Sequence, residues 1–133
     1  MGNWRDGRGT LTIPAGVGEG GVGPEEGREV GREVALEIAA SYGARRRGLL
    51  GRDGIDGALL ITPCGSVHTF RMRFAIDVAY LDRELRVLGV HTLRPGRLPL
   101  PRWRARHVLE AEAGAMAGWG VRVGTRVAVR AAR

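Results

Sequence analysis

The chain has 133 residues, a net charge of +7 and 44% apolar residues, which are the size and composition of one soluble globular domain. Its single cysteine cannot form an internal disulfide, so the cross-linked secreted class is excluded. No apolar run reaches 18 residues and no apolar signal segment opens the chain, so we expect no membrane span and a cytoplasmic location. All 21 basic residues are arginine, which indicates a genomic codon bias and weakens the charge as an argument for nucleic acid.

The first 31 residues contain ten glycines and few large apolar side chains. Such a segment buries too little surface to offset its ordering entropy. We therefore predict a flexible, glycine-rich leader over 1–31 and a single globular domain over 32–133. Within the leader, Leu11 and Ile13 alternate with polar residues and indicate at most one weak strand.

The rest of the chain reads as short strands at spacings near ten residues. Alternating apolar residues predict a strand over 34–38, after which Ser41 is a typical helix N-cap for a short helix that ends at Gly51. Further strands are predicted over 58–62, 67–70, 76–81, 85–93, 107–112 and 123–131, with a helical turn over 115–119. Asp82 and Arg83 make the turn of a hairpin. The predicted fold is a β-rich α+β domain with a curled, mostly antiparallel sheet, a partial barrel, and one or two short helices.

Five segments, in order, carry a family resemblance. They read RGLLGR at 47–52, GALL at 57–60, VHTFRMRF followed by IDV and LD within 67–82, VLE with a following AG within 108–114, and glycines at 120 and 124. This pattern resembles domain of unknown function 192, a small prokaryotic family without established biochemistry. The resemblance covers about 33–129 and implies a β-rich fold with short helices, in agreement with the strand pattern.

The chain departs from that family pattern at several positions. Leu50 stands where the family usually has methionine, Ala75 where proline is common, and Thr125 where aspartate is usual. The segment before Asp77 is the short Met-Arg-Phe version of a longer Met-Lys-Asn-Thr segment. Roles of the lysine or asparagine of the longer version therefore do not transfer to this chain.

Asp77 is the most informative single residue, because it interrupts an apolar strand on the face of Ala79 and Leu81. A buried carboxylate needs partners or a raised pKa. It could accept backbone N–H groups or pair with Arg71 or Arg73. Alternatively, it could line a pocket and bind a ligand or act as a base.

Three further residues complete the candidate chemistry. Glu110 lies between apolar residues and could be a second carboxylate. His68 could form an acid–base pair with Asp77, or could activate the thiol of Cys64 as a nucleophile. The candidate catalytic residues are thus His68, Asp77 and Cys64, and no strong reason favours catalysis over coincidence.

Around His68 the pattern favours a binding groove. Met72 alternates with Arg71 and Arg73, which fits an apolar pocket floor rimmed by guanidinium groups for an anionic or extended ligand, or plain core packing. The predicted ligand-binding residues are His68, Thr69, Met72, Arg73, Asp77 and Glu110. Cys64 and the three histidines lack any metal-binding spacing, so we predict no metal and no cofactor.

The segment 94–106 is an irregular loop with three prolines, five arginines and Trp103. Arginine beside an exposed aromatic residue is typical of surfaces that bind single-stranded nucleic acid, whereas a tryptophan folded back on the core would be structural. No helix-turn-helix or RNA-recognition pattern supports the first interpretation.

We therefore predict a small binding module with a groove around His68 and Asp77, completed by Glu110. Its partner would be a protein, a peptide or a small anionic ligand. The alternatives are a hydrolase that uses His68 and Asp77 as acid and base, and a nucleic-acid-binding protein with an arginine-rich face.

Overall fold

The computed structural model describes residues 4–15 and 31–132. Within them, seven strands and two short helices follow one another along the chain. They are β1 (Gly7–Ile13), β2 (Arg32–Ala39), α1 (Tyr42–Arg47), β3 (Ala58–Ile61), β4 (Ile76–Leu81), β5 (Val87–Leu93), β6 (His107–Glu112), α2 (Ala115–Trp119) and β7 (Ala128–Ala131).

The strands form one mixed sheet in the order β5-β4-β6-β3-β2-β1-β7. Strands β2 and β3 are parallel, and every other neighbouring pair is antiparallel. The sheet is not closed, but its two ends approach each other at a bridge between Arg86 and Arg126 and at a 2.8 Å hydrogen bond from the Val87 amide to the Thr125 carbonyl. The predicted β-rich fold with a curled, mostly antiparallel sheet and two short helices is confirmed.

Two apolar clusters pack on opposite faces of this sheet. On one face, which we call the Leu109 face, Leu109 of β6 packs with Leu36, Leu60 and Met116. On the other, which we call the Val108 face, Val108 packs with residues of β3 and β4 and with Met72. Because neighbouring residues of a strand point to opposite faces, strands β2 to β6 each supply both clusters, whereas Leu11 and Ile13 of β1 belong to the Leu109 face.

Strand β1 corrects the predicted domain boundary. It lies between β2 and β7, and Leu11 and Ile13 are fully buried on the Leu109 face. A side chain at Gly9 would place its Cβ 2.3 Å from the Arg130 carbonyl oxygen, so this glycine allows β7 to approach. The domain therefore includes residues before Arg32. The part of the predicted leader at 1–3 and 16–30 lies outside the described residues.

Helix α1 begins as predicted but ends earlier. The Ser41 hydroxyl accepts a 3.2 Å hydrogen bond from the Ala44 amide, and the Asp6 carboxylate accepts the backbone amides of Ala40 and Ser41. The helix ends before Gly48, whose φ of 48° and ψ of −127° favour glycine. The predicted end at Gly51 was wrong because a turn over 48–51 replaces the last helical turn.

Two strand predictions were also wrong: the first segment forms no strand, and the second strand is shorter than predicted. The segment 67–70 is irregular, because the Thr69 backbone and hydroxyl bond to Arg94, Gly96 and Arg97 instead of to a sheet neighbour. The last strand is limited to Ala128–Ala131, since the residues before it turn to meet the start of β5.

Truncation of Leu11 tests whether β1 belongs to the core. Leu11 is 0% exposed, so we expect Leu11→Ala to lower the free energy of unfolding by about 2–5 kcal/mol, measured by urea denaturation. The matched control is Leu100→Ala, because Leu100 is 86% exposed and its truncation should change stability by less than about 0.5 kcal/mol. Equal stability of the two variants would contradict the placement of β1.

Candidate functional site

A cleft of about 210 Å³ opens on the Val108 face, with Glu110 in its lining. We call it the Glu110 cleft. Its polar lining comes from Cys64, Ser66 and His68, and arginines and apolar residues complete it. Three residues singled out from the sequence, Cys64, His68 and Glu110, therefore share one cavity.

Glu110 reaches this cleft because of strand register. It lies opposite Leu59 of β3 and Val78 of β4 in the sheet, so its side chain points to the Val108 face. The residue is only 5% exposed, and no hydrogen bond from another described residue reaches its carboxyl group. Desolvation by burial raises the pKa of Glu110 to about 7. At neutral pH the cleft thus holds a carboxyl group that can both donate and accept a proton.

The basic part of the lining comes from the end of α1, where Arg45, Arg46 and Arg47 all border the cleft. One Arg45 terminal nitrogen donates to the Pro63 carbonyl at 3.1 Å. Its Nε is buried and has no partner among the described residues. These arginines were not predicted as site residues, although the first family segment begins at Arg47.

The apolar part of the lining includes Leu49, Ile61, Val67 and Met72. Gly48 turns the chain from α1 toward these residues, and a Cβ placed there would lie 3.6 Å from a Glu110 carboxylate oxygen, an ordinary contact. Its conformation, and not the available space, therefore accounts for glycine at this position.

Cys64 and His68 border the same cleft without forming a catalytic pair. The Cys64 thiol donates to the Ser66 carbonyl at 3.0 Å. Burial is the main reason that the pKa of the Cys64 thiol is raised, which disfavours the thiolate that a nucleophile requires. His68 is exposed, and its ring stacks on Phe70 with centroids 5.4 Å apart.

Asp77 lies on the opposite face of the sheet, away from the Glu110 cleft. Its register partner in β6 is Ala111, which belongs to the Leu109 face. Its carboxylate accepts the Thr92 hydroxyl at 2.6 Å and the backbone amides of Gly114 and Met116 at 2.9 and 3.1 Å. The structure thus gives Asp77 the backbone partners that the sequence analysis considered, and it caps the start of α2.

The structure places the remaining predicted ligand-binding residues in different parts of the fold. Met72 is buried and lines the cleft. Thr69 is buried, but its hydroxyl donates to the Arg94 carbonyl at 2.7 Å and accepts the Arg97 amide at 2.7 Å, so it tethers two loops. Arg73 is exposed and pairs with Asp53 at 3.2 Å. Of the six predicted binding residues, the structure places His68, Met72 and Glu110 together and the other three elsewhere.

The other histidines lie apart from this cleft. His107 shares a 2.7 Å hydrogen bond with the Thr62 hydroxyl, and His91 lies 2.7 Å from an Arg102 nitrogen. Over residues 4–15 and 31–132, no group of three histidine, cysteine or acidic side chains is placed to hold a metal ion. The two helices of the same region are too short to cross a bilayer.

The curled sheet and the lined cleft define a small β-rich domain with a polar site on its Val108 face. The chain belongs to the family described as DUF192, Uncharacterized ACR, COG1430, which matches residues 25–129. A UPF0127 protein of Pyrococcus horikoshii is 45% identical over 49 residues, which are 37% of this chain and 43% of that protein. A UPF0127 protein of Pyrococcus abyssi is 40% identical over 62 residues, which are 47% of this chain and 53% of that protein. The chain thus spans about half the length of these relatives.

Solved structures share the fold. A chain from Sinorhizobium meliloti, provisionally described as a transcription regulator, superposes with a TM-score of 0.74, 15% identity and coverage of 96% of this chain and 98% of the other. A protein of unknown function from Novosphingobium aromaticivorans gives a TM-score of 0.69 at 17% identity, with coverage of 90% and 83%. At these identities the likeness concerns the fold alone.

Replacement of Asp77 tests its structural role. In Asp77→Asn an amide NH2 group replaces one carboxylate oxygen, so at least one of the three hydrogen-bond donors loses its acceptor. We therefore expect a loss of about 2 kcal/mol in the free energy of unfolding. Urea denaturation of this variant beside Asp56→Asn gives the comparison, because Asp56 is exposed. A loss no greater than that of the control would show that the three hydrogen bonds do not stabilise the domain.

The raised pKa of Glu110 predicts a pH dependence of stability. The native state binds this proton up to about pH 7, whereas the unfolded chain releases it near pH 4.5. Stability therefore falls as pH rises through this window and levels off above it. Between pH 5 and 8 we expect wild type to lose roughly 2–3 kcal/mol more than Glu110→Gln.

Urea denaturation at both pH values measures this difference. Glu84→Gln is the matched control, because Glu84 is exposed, and it should follow the wild-type pH profile. If Glu110→Gln showed the same pH profile as wild type, the carboxyl group would titrate near its ordinary pKa and the argument from burial would be wrong.

Proposed function

We propose that the chain is a ligand-binding module whose Glu110 cleft takes an organic carboxylate. The observation that carries the proposal is the buried Glu110 carboxyl group without a hydrogen bond from any other described residue. Its oxygens are not among the fully buried side-chain atoms without a partner, so they stay open to the cleft, where a ligand can donate to them or accept from them. Arg45, whose Nε is buried without a partner among the described residues, belongs to the same lining.

Charge supports an anionic ligand. Three arginines line the cleft and Glu110 is the one acidic residue among the lining residues. Below pH 7 its carboxyl group is largely protonated and adds no repulsion. Guanidinium groups bind carboxylates through paired N–H donors, and the protonated acid can donate to a ligand oxygen.

Volume supports a small ligand. The cleft of about 210 Å³ is smaller than the pockets of about 300–1,000 Å³ that enclose drug-sized molecules. It therefore suits a short-chain carboxylate or the carboxyl-terminal end of a peptide, with the alkyl part against Ile61 and Met72. Both ligands present the same chemistry, and an experiment can separate them.

The hydrolase alternative gains less support. It needs the His68 ring beside a carboxylate, yet the Asp77 carboxylate makes its hydrogen bonds with other groups on the opposite face of the sheet. The cleft contains His68 and Glu110, but no hydrogen bond joins them. A binding role requires neither contact.

The cytoplasmic location stays a prediction.

Thermal unfolding in the presence of carboxylates tests the proposal. The probes are acetate, propionate and butyrate, and a dipeptide with a free or an amidated carboxyl terminus. Ligand at ten times its Kd should stabilise the domain by about 1.4 kcal/mol. Because Glu110 ionises near pH 7, the stabilisation should be greater at pH 6 than at pH 8.

Substitutions locate the effect. Arg46→Ala should weaken binding about tenfold and Glu110→Gln should flatten its pH dependence, while Arg83→Ala, an exposed arginine outside the cleft, should bind as wild type. A preference for the free dipeptide over butyrate would identify a peptide terminus as the ligand. Equal stabilisation of wild type and Arg46→Ala, or by the amidated dipeptide, would overturn the proposal.

A further inference from the structure

The loop between β5 and β6, residues 94–106, carries five arginines and no acidic residue. We call it the Arg loop. Its backbone is held at several points: Gly96 donates to the Thr69 carbonyl at 2.7 Å, Arg102 to the Gly65 carbonyl at 2.9 Å, and Cys64 to the Arg106 carbonyl at 2.9 Å. Its side chains are therefore presented on an ordered backbone, which lowers the ordering cost of binding.

The side chain of Trp103 points outward from this loop and is 79% exposed. The Arg104 guanidinium carbon lies 4.9 Å from its ring centroid, which is cation–π range. The alternative in which this tryptophan folds back onto the core does not occur. An exposed aromatic ring beside a guanidinium group is the combination on which unpaired bases stack.

Two clefts flank Arg102 on the same loop. One, of about 310 Å³, is bordered by Leu88, Arg102 and Trp103, and the other, of about 390 Å³, by Tyr80 and His91. The Arg102 guanidinium carbon lies 5.4 Å from the Tyr80 ring centroid and one of its nitrogens 2.7 Å from His91 Nε2. Tyr80 itself is only 1% exposed, so the ring that is open to the second cleft is that of His91, which is exposed. Each cleft thus combines an exposed ring with the Arg102 guanidinium group.

We propose that the Arg loop binds single-stranded nucleic acid, with one base on Trp103 and another on His91. Flat aromatic and guanidinium planes fit unpaired bases, and the surplus of arginine complements the phosphates. An acidic peptide would use the charge but not the paired stacking planes. This surface shares no lining residue with the Glu110 cleft, so it is independent of the function proposed there.

A duplex suits the surface less well. Major-groove readers insert a helix or a two-stranded ribbon, whereas an irregular loop with three prolines carries this surface. Unstacked bases are reached from such a loop without a groove. The proposal is therefore restricted to unpaired strands.

The experiment is fluorescence anisotropy of labelled 12-nucleotide dT and rU strands with the full chain at 50, 100 and 200 mM salt. We expect both strands to bind, with affinity falling as salt rises. Trp103→Ala should weaken binding about tenfold and leave the salt slope unchanged, because it removes stacking and no charge. Arg104→Ala should make the slope of log affinity against log salt concentration shallower by about one, because it removes one phosphate contact.

Arg83→Ala is the matched control, because it removes an exposed arginine outside the Arg loop. Its affinity should fall by less than a factor of two. Far-UV circular dichroism verifies that each variant is folded, and Arg104→Ala provides an independent test. No binding at 50 mM salt, equal binding by wild type and Trp103→Ala, or an equal loss in Arg83→Ala would overturn the proposal. So would displacement of dT by inorganic polyphosphate or an oligoglutamate peptide at equal charge concentration, since neither carries a base.

Discussion

The antiparallel register between β4 and β6 decides where the chemistry of this domain lies. It places Asp77 opposite Ala111 and Val78 opposite Glu110. Since side chains alternate along a strand, the two buried carboxylates point to opposite faces of one sheet. A shift of one residue in either strand would turn that strand's carboxylate to the other face and bury it among the wrong partners. The two apolar clusters fix this register, because each needs its own alternate residues.

The two carboxylates show what burial does to an acid with and without partners. Asp77 receives a hydroxyl and two backbone amides, and it joins β4 to β5 and to the start of α2. Glu110 receives no such donor from the described residues and keeps its proton up to about pH 7. A satisfied carboxylate of the first kind stabilises the fold. The Glu110 carboxyl group, in contrast, has unused hydrogen-bonding capacity beside three arginines. This difference between the two acids is the reason for placing the proposed ligand at Glu110.

Sequence patterns anticipated the fold better than the site. Alternation identified β4, the β4–β5 hairpin and β6, and Ser41 identified the start of α1, because these signals are local. The boundary at Arg32 failed because the glycines of β1 appeared to indicate a leader, whereas Gly9 permits the close approach of β7. The segment at 67–70 resembled a strand by composition, but Thr69 bonds to a loop more than twenty residues away.

The sequence by itself determined the strand periods, the family and the presence of two acidic residues in apolar strands, since these depend on nearest neighbours along the chain. It also drew attention to Cys64, His68 and Glu110. Only the tertiary structure decided that Asp77 is used to hold α2 while Glu110 shares a cleft with the arginines of α1. The reason is that alternation along a strand decides which residues share a face, and this alternation can be read from the sequence. The partners of each residue come from other segments, which the chain brings together only on folding.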